Sequence, residues 1–229
     1  MKSILSSSFS LYIQDFLKLM LLSVLTYVPL LFLHAIIVNY IYAETRFAEY
    51  PGLIGDVANG IFMIVFLTIA QLPFIKYTLL ESEDADHPLK QAISFAIEKA
   101  LPIYLFACLY SICIFIGGLL YVIPGLVVLV LFYFVPFFLA ENGKLRTALK
   151  KSVGFIKAHF FKAIFVIFIL SIIQLVFENI MIYLLSLYTD VYFTTLALKI
   201  VLLMFLLPLQ VIFLTNIFNS WRETEKGGI

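Results

Sequence analysis

Long apolar runs separated by short polar clusters set the pattern of this chain. Five of them, residues 19–43, 57–80, 101–123, 161–188 and 192–219, exceed the length that a membrane crossing needs. A hydrocarbon core of about 30 Å takes about 20 helical residues at about 1.5 Å each. A sixth run, 126–140, is shorter and follows Pro124-Gly125, a turn-forming pair. Two placements fit it. Either the turn lies at Pro124-Gly125, or the preceding helix stops near Ile116, Gly117-Gly118 turn, and the next helix kinks at Pro124. The expected fold is all-α: one transmembrane domain over 1–229, with six transmembrane helices in three hairpins.

Ahead of each pair of runs the pattern changes to an amphipathic one. Ile4, Leu5, Phe9, Tyr12, Ile13 and Phe16 keep helical spacing, while Ser6, Ser7, Ser10 and Gln14 fall elsewhere. Leu89, Ala92, Ile93, Ile97 and Ala100 repeat the arrangement, and Leu145, Ala148, Leu149, Val153, Ile156 and Phe160 do so again. Such helices are expected to lie flat in the membrane interface. The second run of each pair also carries a proline before its end: Pro73, Pro136 and Pro208. Proline removes a backbone donor and bends a helix. Three matching bends suggest three duplicated units, 1–80, 88–140 and 144–219, around a pseudo-threefold axis. The alternative is that apolar sequences match one another by composition alone.

Composition excludes a water-soluble fold. Of 229 residues 63% are hydrophobic and 13% charged, against about 45–50% and about 25% in soluble domains. The formal net charge of +1 gives no support for nucleic-acid binding. Where the cations fall is informative, because Lys and Arg are retained in cytoplasmic loops. With both termini inside, thirteen of them lie on the inner side, from Lys2 to Lys226, and two outside, Arg46 and Lys199. The N-terminal residues carry no pattern of a cleavable signal, so the first span is expected to stay as an anchor. Cys108 and Cys113 read as small buried hydrophobes.

The stretch Ile116-Gly117-Gly118-Leu119-Leu120-Tyr121-Val122-Ile123-Pro124-Gly125 leads on to Pro136-Phe137-Phe138-Leu139-Ala140-Glu141-Asn142-Gly143. Ala148-Leu149-Lys150-Lys151-Ser152 and Lys157-Ala158-His159-Phe160-Phe161 follow. Together these resemble the YciC-like family of bacterial six-helix membrane proteins, which is similar to the membrane domain of some glycerophosphodiester phosphodiesterases. The likeness is strongest over 116–162 and extends by topology to the whole chain. It implies the bacterial cytoplasmic membrane and a role in the envelope. With no phosphodiesterase domain in this sequence, it implies no hydrolase activity.

Candidate chemistry is sparse. The sequence has no Gly-rich phosphate loop, no zinc-spaced His or Cys set and no nucleophile elbow. Asp84 and Asp86 could hold a divalent cation through their oxygens, although a solvated loop before Pro88 explains them as well. No cofactor is expected. Charged groups within spans are costly and so are site candidates by default. Glu178, with Gln174 one turn earlier, is the clearest, and Lys199 is its expected ion-pair partner. His34 and Gln71 are further intramembrane polar positions. Lys144, Arg146, Lys150 and Lys151 on the third amphipathic segment are candidate contacts for anionic lipid headgroups, at about 1 kcal/mol each, although topology alone also places cations there. The function expected is non-enzymatic, in envelope or lipid homeostasis, through membrane lipids or a membrane-protein partner. The alternative is a transporter or permease component whose substrate binds at mid-membrane, where proline bends free backbone carbonyls. An intramembrane enzyme is a third and weaker reading.

Overall fold

In a computed structural model, which describes residues 2–189 and 191–227, the chain is helical throughout, with no strand among the described residues. Eleven helices follow one another: α1 (Lys2–Gln14), α2 (Phe16–Leu25), α3 (Tyr27–Glu44), α4 (Pro51–Ala70), α5 (Leu72–Ser82), α6 (Pro88–Glu98), α7 (Ala100–Leu120), α8 (Val122–Phe132), α9 (Val135–Asn142), α10 (Leu145–Ser186) and α11 (Tyr192–Gly227). They make six stretches long and apolar enough to cross a membrane. Spans 1, 2 and 4 each join two helices, α2 with α3, α4 with α5 and α8 with α9, while α7, α10 and α11 serve as spans 3, 5 and 6. This is an integral membrane protein by the length and apolarity of its helices.

The spans form a closed ring. α3 packs on α4, α4 on α7, α7 on α8, α8 on α10, α10 on α11, and α11 returns to α2 and α3. At the end of the bundle that carries most of the cations, here the basic end, the terminal halves of the even-numbered spans meet at the centre: α5 packs on both α9 and α11. Phe134, Phe137, Phe138 and Phe218 fill the space between them, with ring centroids 4.9–6.0 Å apart. Outward-facing positions remain apolar, and only 6% of the most apolar stretch of α10 is buried. Lipid tails rather than protein are the natural cover for those side chains.

The amphipathic segments line the basic end, and one packing relation recurs there. α6 packs on α5, the first part of α10 on α9, and α1 on α11. The third segment meets the fifth span without a loop: two helices join at His159, whose backbone leaves helical geometry (φ −121°, ψ 18°). The inward face of α1 is less apolar than its outward one. Leu5, Phe9 and Ile13 point outward, whereas Ser8 is buried and accepts a hydrogen bond from Asn216 Nδ2 on α11 at 2.8 Å.

Neither placement of the third and fourth spans read from sequence holds. α7 runs through Gly117-Gly118 to Leu120, and the reversal is made by Tyr121 alone, in an extended conformation (φ −163°, ψ 149°). Pro124 then sits in the first turn of α8, where its missing N–H leaves no gap. The glycines matter for a reason that lies between helices. A Cβ on Gly125 would come within 2.8 Å of Gly118 N and 2.9 Å of Ile114 O, and one on Gly117 within 2.9 Å of Gly125 N. Backbone lies against backbone here, which only residues without side chains permit.

The three prolines do not all act alike. Pro73 and Pro136 begin new helices after breaks at Gln71 and at Tyr133-Phe134, whereas α11 stays continuous through Pro208. Pro208 cannot donate to Met204 O, and Ser23 Oγ on α2 donates to that carbonyl instead, at 3.1 Å. At the break in span 4, Tyr133 N bonds back three residues to Val130 O, and Leu129 O takes the Tyr110 hydroxyl at 2.6 Å. Ser152 Oγ donates to Leu131 O at 2.7 Å.

Gly125→Ala is expected to destabilise the α7–α8 hairpin by about 1–3 kcal/mol, the usual cost of forcing a methyl group into a packed site. Gly118→Ala, whose Cβ would meet nothing within 4 Å, should be near neutral. Thermal melts of the two variants in detergent check this. Equal melting temperatures would show that the hairpin is not held by the glycine contact.

Candidate functional site

Within the ring lies a chamber of about 330 Å³, bounded by residues of all six spans. It sits at the level of the proline breaks, and three glutamines reach it. Gln71 stands at the break between α4 and α5, two residues before Pro73; Gln210 is two residues beyond Pro208; Gln174 comes from α10. Tyr27, Tyr110 and Tyr133 add three phenols. Among the described residues no charged side chain lines the chamber. Its polar groups can donate and accept hydrogen bonds, but they offer no strong base, nucleophile or fixed charge.

Beside it, between α1, α10 and α11, runs a groove of about 360 Å³, apolar except for Ser8, Gln174 and Gln210. Leu5 and Phe9 of α1 form one wall, Phe165, Ile169 and Ile173 of α10 another, and Leu209 and Phe213 of α11 the third. Chamber and groove share Leu170, Gln174 and Gln210. That shared row is loosely tied: Gln210 Nε2 lies 3.5 Å from Leu170 O, near the outer limit of a hydrogen bond.

One turn beyond Gln174, away from the basic end, the structure brings Glu178 and Lys199 together. Lys199 Nζ stands 2.8 Å from Glu178 Oε1; the carboxylate side chain is 16% exposed and the lysine 44%. Counted from the hairpin turn at Thr189, Glu178 lies eleven residues back and Lys199 ten residues on, which matches their depths. His34 is on α3, half-buried, with Nε2 3.3 Å from Asn59 O and its ring edge-on to Phe66. Neither His34 nor Glu178 lines the chamber, so Gln71, His34 and Glu178 do not form one continuous polar path.

The cations of the third amphipathic segment sit elsewhere, on the outer face of α10 at the basic end. Lys144, Arg146 and Lys150 are exposed, and Lys151 donates to Asn142 Oδ1 at 2.8 Å. The opposite face of the same segment, with Ala148, Ser152 and Ile156, is buried against the bundle. Asp84 and Asp86 are exposed in the loop before α6, and no group of three metal-ligating side chains occurs among the described residues.

Sequence reasoning picked out Gln71, Gln174 and Pro136 at the chamber and passed over Gln210 and the three tyrosines. A usable signal was present. Gln71 and Gln210 each lie two residues from an in-span proline, and a polar residue beside a helix break inside a membrane has few places to point except inward.

Because Glu178 is too deep for water and too short to reach the surface, removing its partner should cost more than removing both. Glu178→Gln and Lys199→Met are each expected to lower the melting temperature, and the double variant to recover part of the loss. The cycle should show a coupling of about 0.5–3 kcal/mol. Additive losses would mean that the pair contributes nothing beyond its separate halves. Comparison with protein-family models, with curated proteins and with solved structures finds no match to this chain.

Proposed function

We propose that this protein is a non-enzymatic component of the bacterial cytoplasmic membrane that binds lipid and serves envelope or lipid homeostasis. The observation that carries this reading is the build of α10's first part. Its inner face is locked against the bundle, and Lys144, Arg146 and Lys150 project outward with no ion pair among the described residues. A rigidly mounted row of cations at the hydrocarbon boundary suits anionic headgroups. The thirteen-to-two distribution of Lys and Arg supports an orientation with both termini in the cytoplasm. The threefold recurrence of an interfacial helix on the end of an even-numbered span supports three duplicated units, 1–80, 88–140 and 144–219, sharing that orientation.

A transporter or permease component is the second reading, favoured by the chamber at the proline breaks. Two observations weigh against its usual chemistry. The carbonyls of Met204, Leu129 and Leu131 are taken by Ser23, Tyr110 and Ser152, so they are not on offer to a substrate. The described residues that line the chamber also carry no charge with which to couple an ion. A membrane-protein partner that docks on the basic end is compatible with either reading.

Replacing Lys144, Arg146, Lys150 and Lys151 by Gln should weaken retention of anionic lipid through several chromatography steps, by about 1 kcal/mol for each cation that contacts a headgroup, while leaving the melting temperature unchanged. Unaltered lipid selectivity would reduce these cations to topology signals. Orientation is tested separately in a version without Cys108 and Cys113. In intact cells an impermeant thiol reagent should label Glu49→Cys and spare Asp86→Cys and Lys150→Cys. Labelling at Asp86→Cys would invert the assignment.

A further inference from the structure

We propose that the chamber and the adjoining groove form one binding site for a lipid with an uncharged, hydroxyl-bearing headgroup, held head-inward with its acyl chain lying between α1, α10 and α11. Each half of the site selects for its half of such a molecule. The chamber is large enough for a small headgroup, and the two volumes together, about 330 Å³ and about 360 Å³, fall in the range of ligand sites. The carboxamides of Gln71 and Gln174 have no hydrogen-bond partner among the described residues. They stand where hydroxyl groups would meet both a donor and an acceptor. An unpartnered amide facing an apolar filling would be costly, so a polar occupant is the favoured state.

Charge decides which lipid. A phosphate or carboxylate in the chamber would be desolvated with no cation among the described lining residues. Lys199 is held by Glu178 at 2.8 Å on α10 and does not line the cavity. A charged headgroup is therefore excluded, and a neutral glycerol-type headgroup is not. The groove discriminates in the opposite sense, since it offers an acyl chain a wall of Leu, Ile, Phe and Val with hardly a polar atom.

The route from the bilayer is lateral. Toward the basic end lie the packed rings of Phe134, Phe137 and Phe218, none of which lines the chamber. Toward the bilayer it shares Leu170, Gln174 and Gln210 with the groove. Phe165 and Ile173 on the groove's edge are 62% and 57% exposed, in the region covered by lipid tails. A lipid already in the membrane reaches the chamber by parting the long Gln210–Leu170 contact, without crossing water. The site is independent of the headgroup contacts proposed for the basic part of α10, and either can fail without the other.

The probe is a monoacylglycerol with a photoactivatable acyl chain, incorporated with the full-length protein into phosphatidylcholine vesicles. Crosslinks are expected on the groove walls, at α1, α10 and α11. Unlabelled monoacylglycerol should compete, and lysophosphatidic acid of the same chain length should compete at least about tenfold less well. Gln71→Leu and Gln174→Leu should each weaken labelling about fivefold to tenfold, and Leu209→Trp should block it by filling the groove. The variant with Lys144, Arg146, Lys150 and Lys151 replaced by Gln should label like the unmodified protein. Equal competition by the charged lipid, or crosslinks spread evenly around the bundle, would overturn the proposal. Both readouts need only the unmodified protein, so they decide the matter even if a variant fails to fold.

Discussion

Inside a bilayer a backbone carbonyl without a partner has no water to turn to, and this constraint organises the bundle. Pro73 and Pro136 follow helix breaks in spans 2 and 4, Pro208 sits inside continuous α11, and each of the three disturbs the hydrogen-bond ladder. The carbonyls of Met204, Leu129 and Leu131 are met by side chains from other spans: Ser23 on α2, Tyr110 on α7 and Ser152 on α10. What begins as a local defect becomes a tie between helices. Since lipid gives no hydrophobic incentive for helices to associate, such ties and close backbone packing are what hold a membrane bundle together. The Gly117–Gly125 contact supplies the second kind of force at the one hairpin where the loop is a single residue.

The same breaks create interior room. Where a span is interrupted it cannot fill the ring axis evenly, and at that level the structure has its chamber, with glutamine and tyrosine side chains converging. Charges are kept away from it. Glu178 and Lys199 neutralise each other one turn beyond, Arg46 lies in the loop after α3, and the other cations gather at the basic end, where Arg222 pairs with Glu141 at 2.5 Å and Lys76 reaches Ala140 O at 3.2 Å over the ring of Phe95. The interior is polar without being charged, which suits recognition of hydroxyl groups better than coupling to ions.

Length and hydropathy made the six spans legible in the sequence, because a bilayer imposes one thickness on every crossing. Periodicity made the amphipathic segments legible for the same kind of reason. The reversal between spans 3 and 4 was not, since Gly-Gly and Pro-Gly both resemble turns locally. What sets both aside is that Gly117 and Gly125 face each other across two helices, a tertiary fact. Glu178 with Lys199 could be inferred from equal depth around one turn. The chamber could be inferred only in part: Gln71 and Gln174 stood out as polar residues in apolar runs, while tyrosines in such runs look like ordinary packing, and only the fold shows that Tyr27, Tyr110 and Tyr133 line it. His34 stood out in the same way, yet it settles on Asn59 O outside the chamber.

The link from Asn216 to Ser8 joins positions separated by 208 residues. At about 5–20 residues per second of synthesis, the first helix waits on the order of ten to forty seconds before the surface that receives it exists. During that time its polar face with Ser8 has to rest at the membrane boundary, where water can still serve it, and it can move inward only when the last span arrives. Ring closure is thus a late event in biogenesis, and it is timed by the order in which the chain is made.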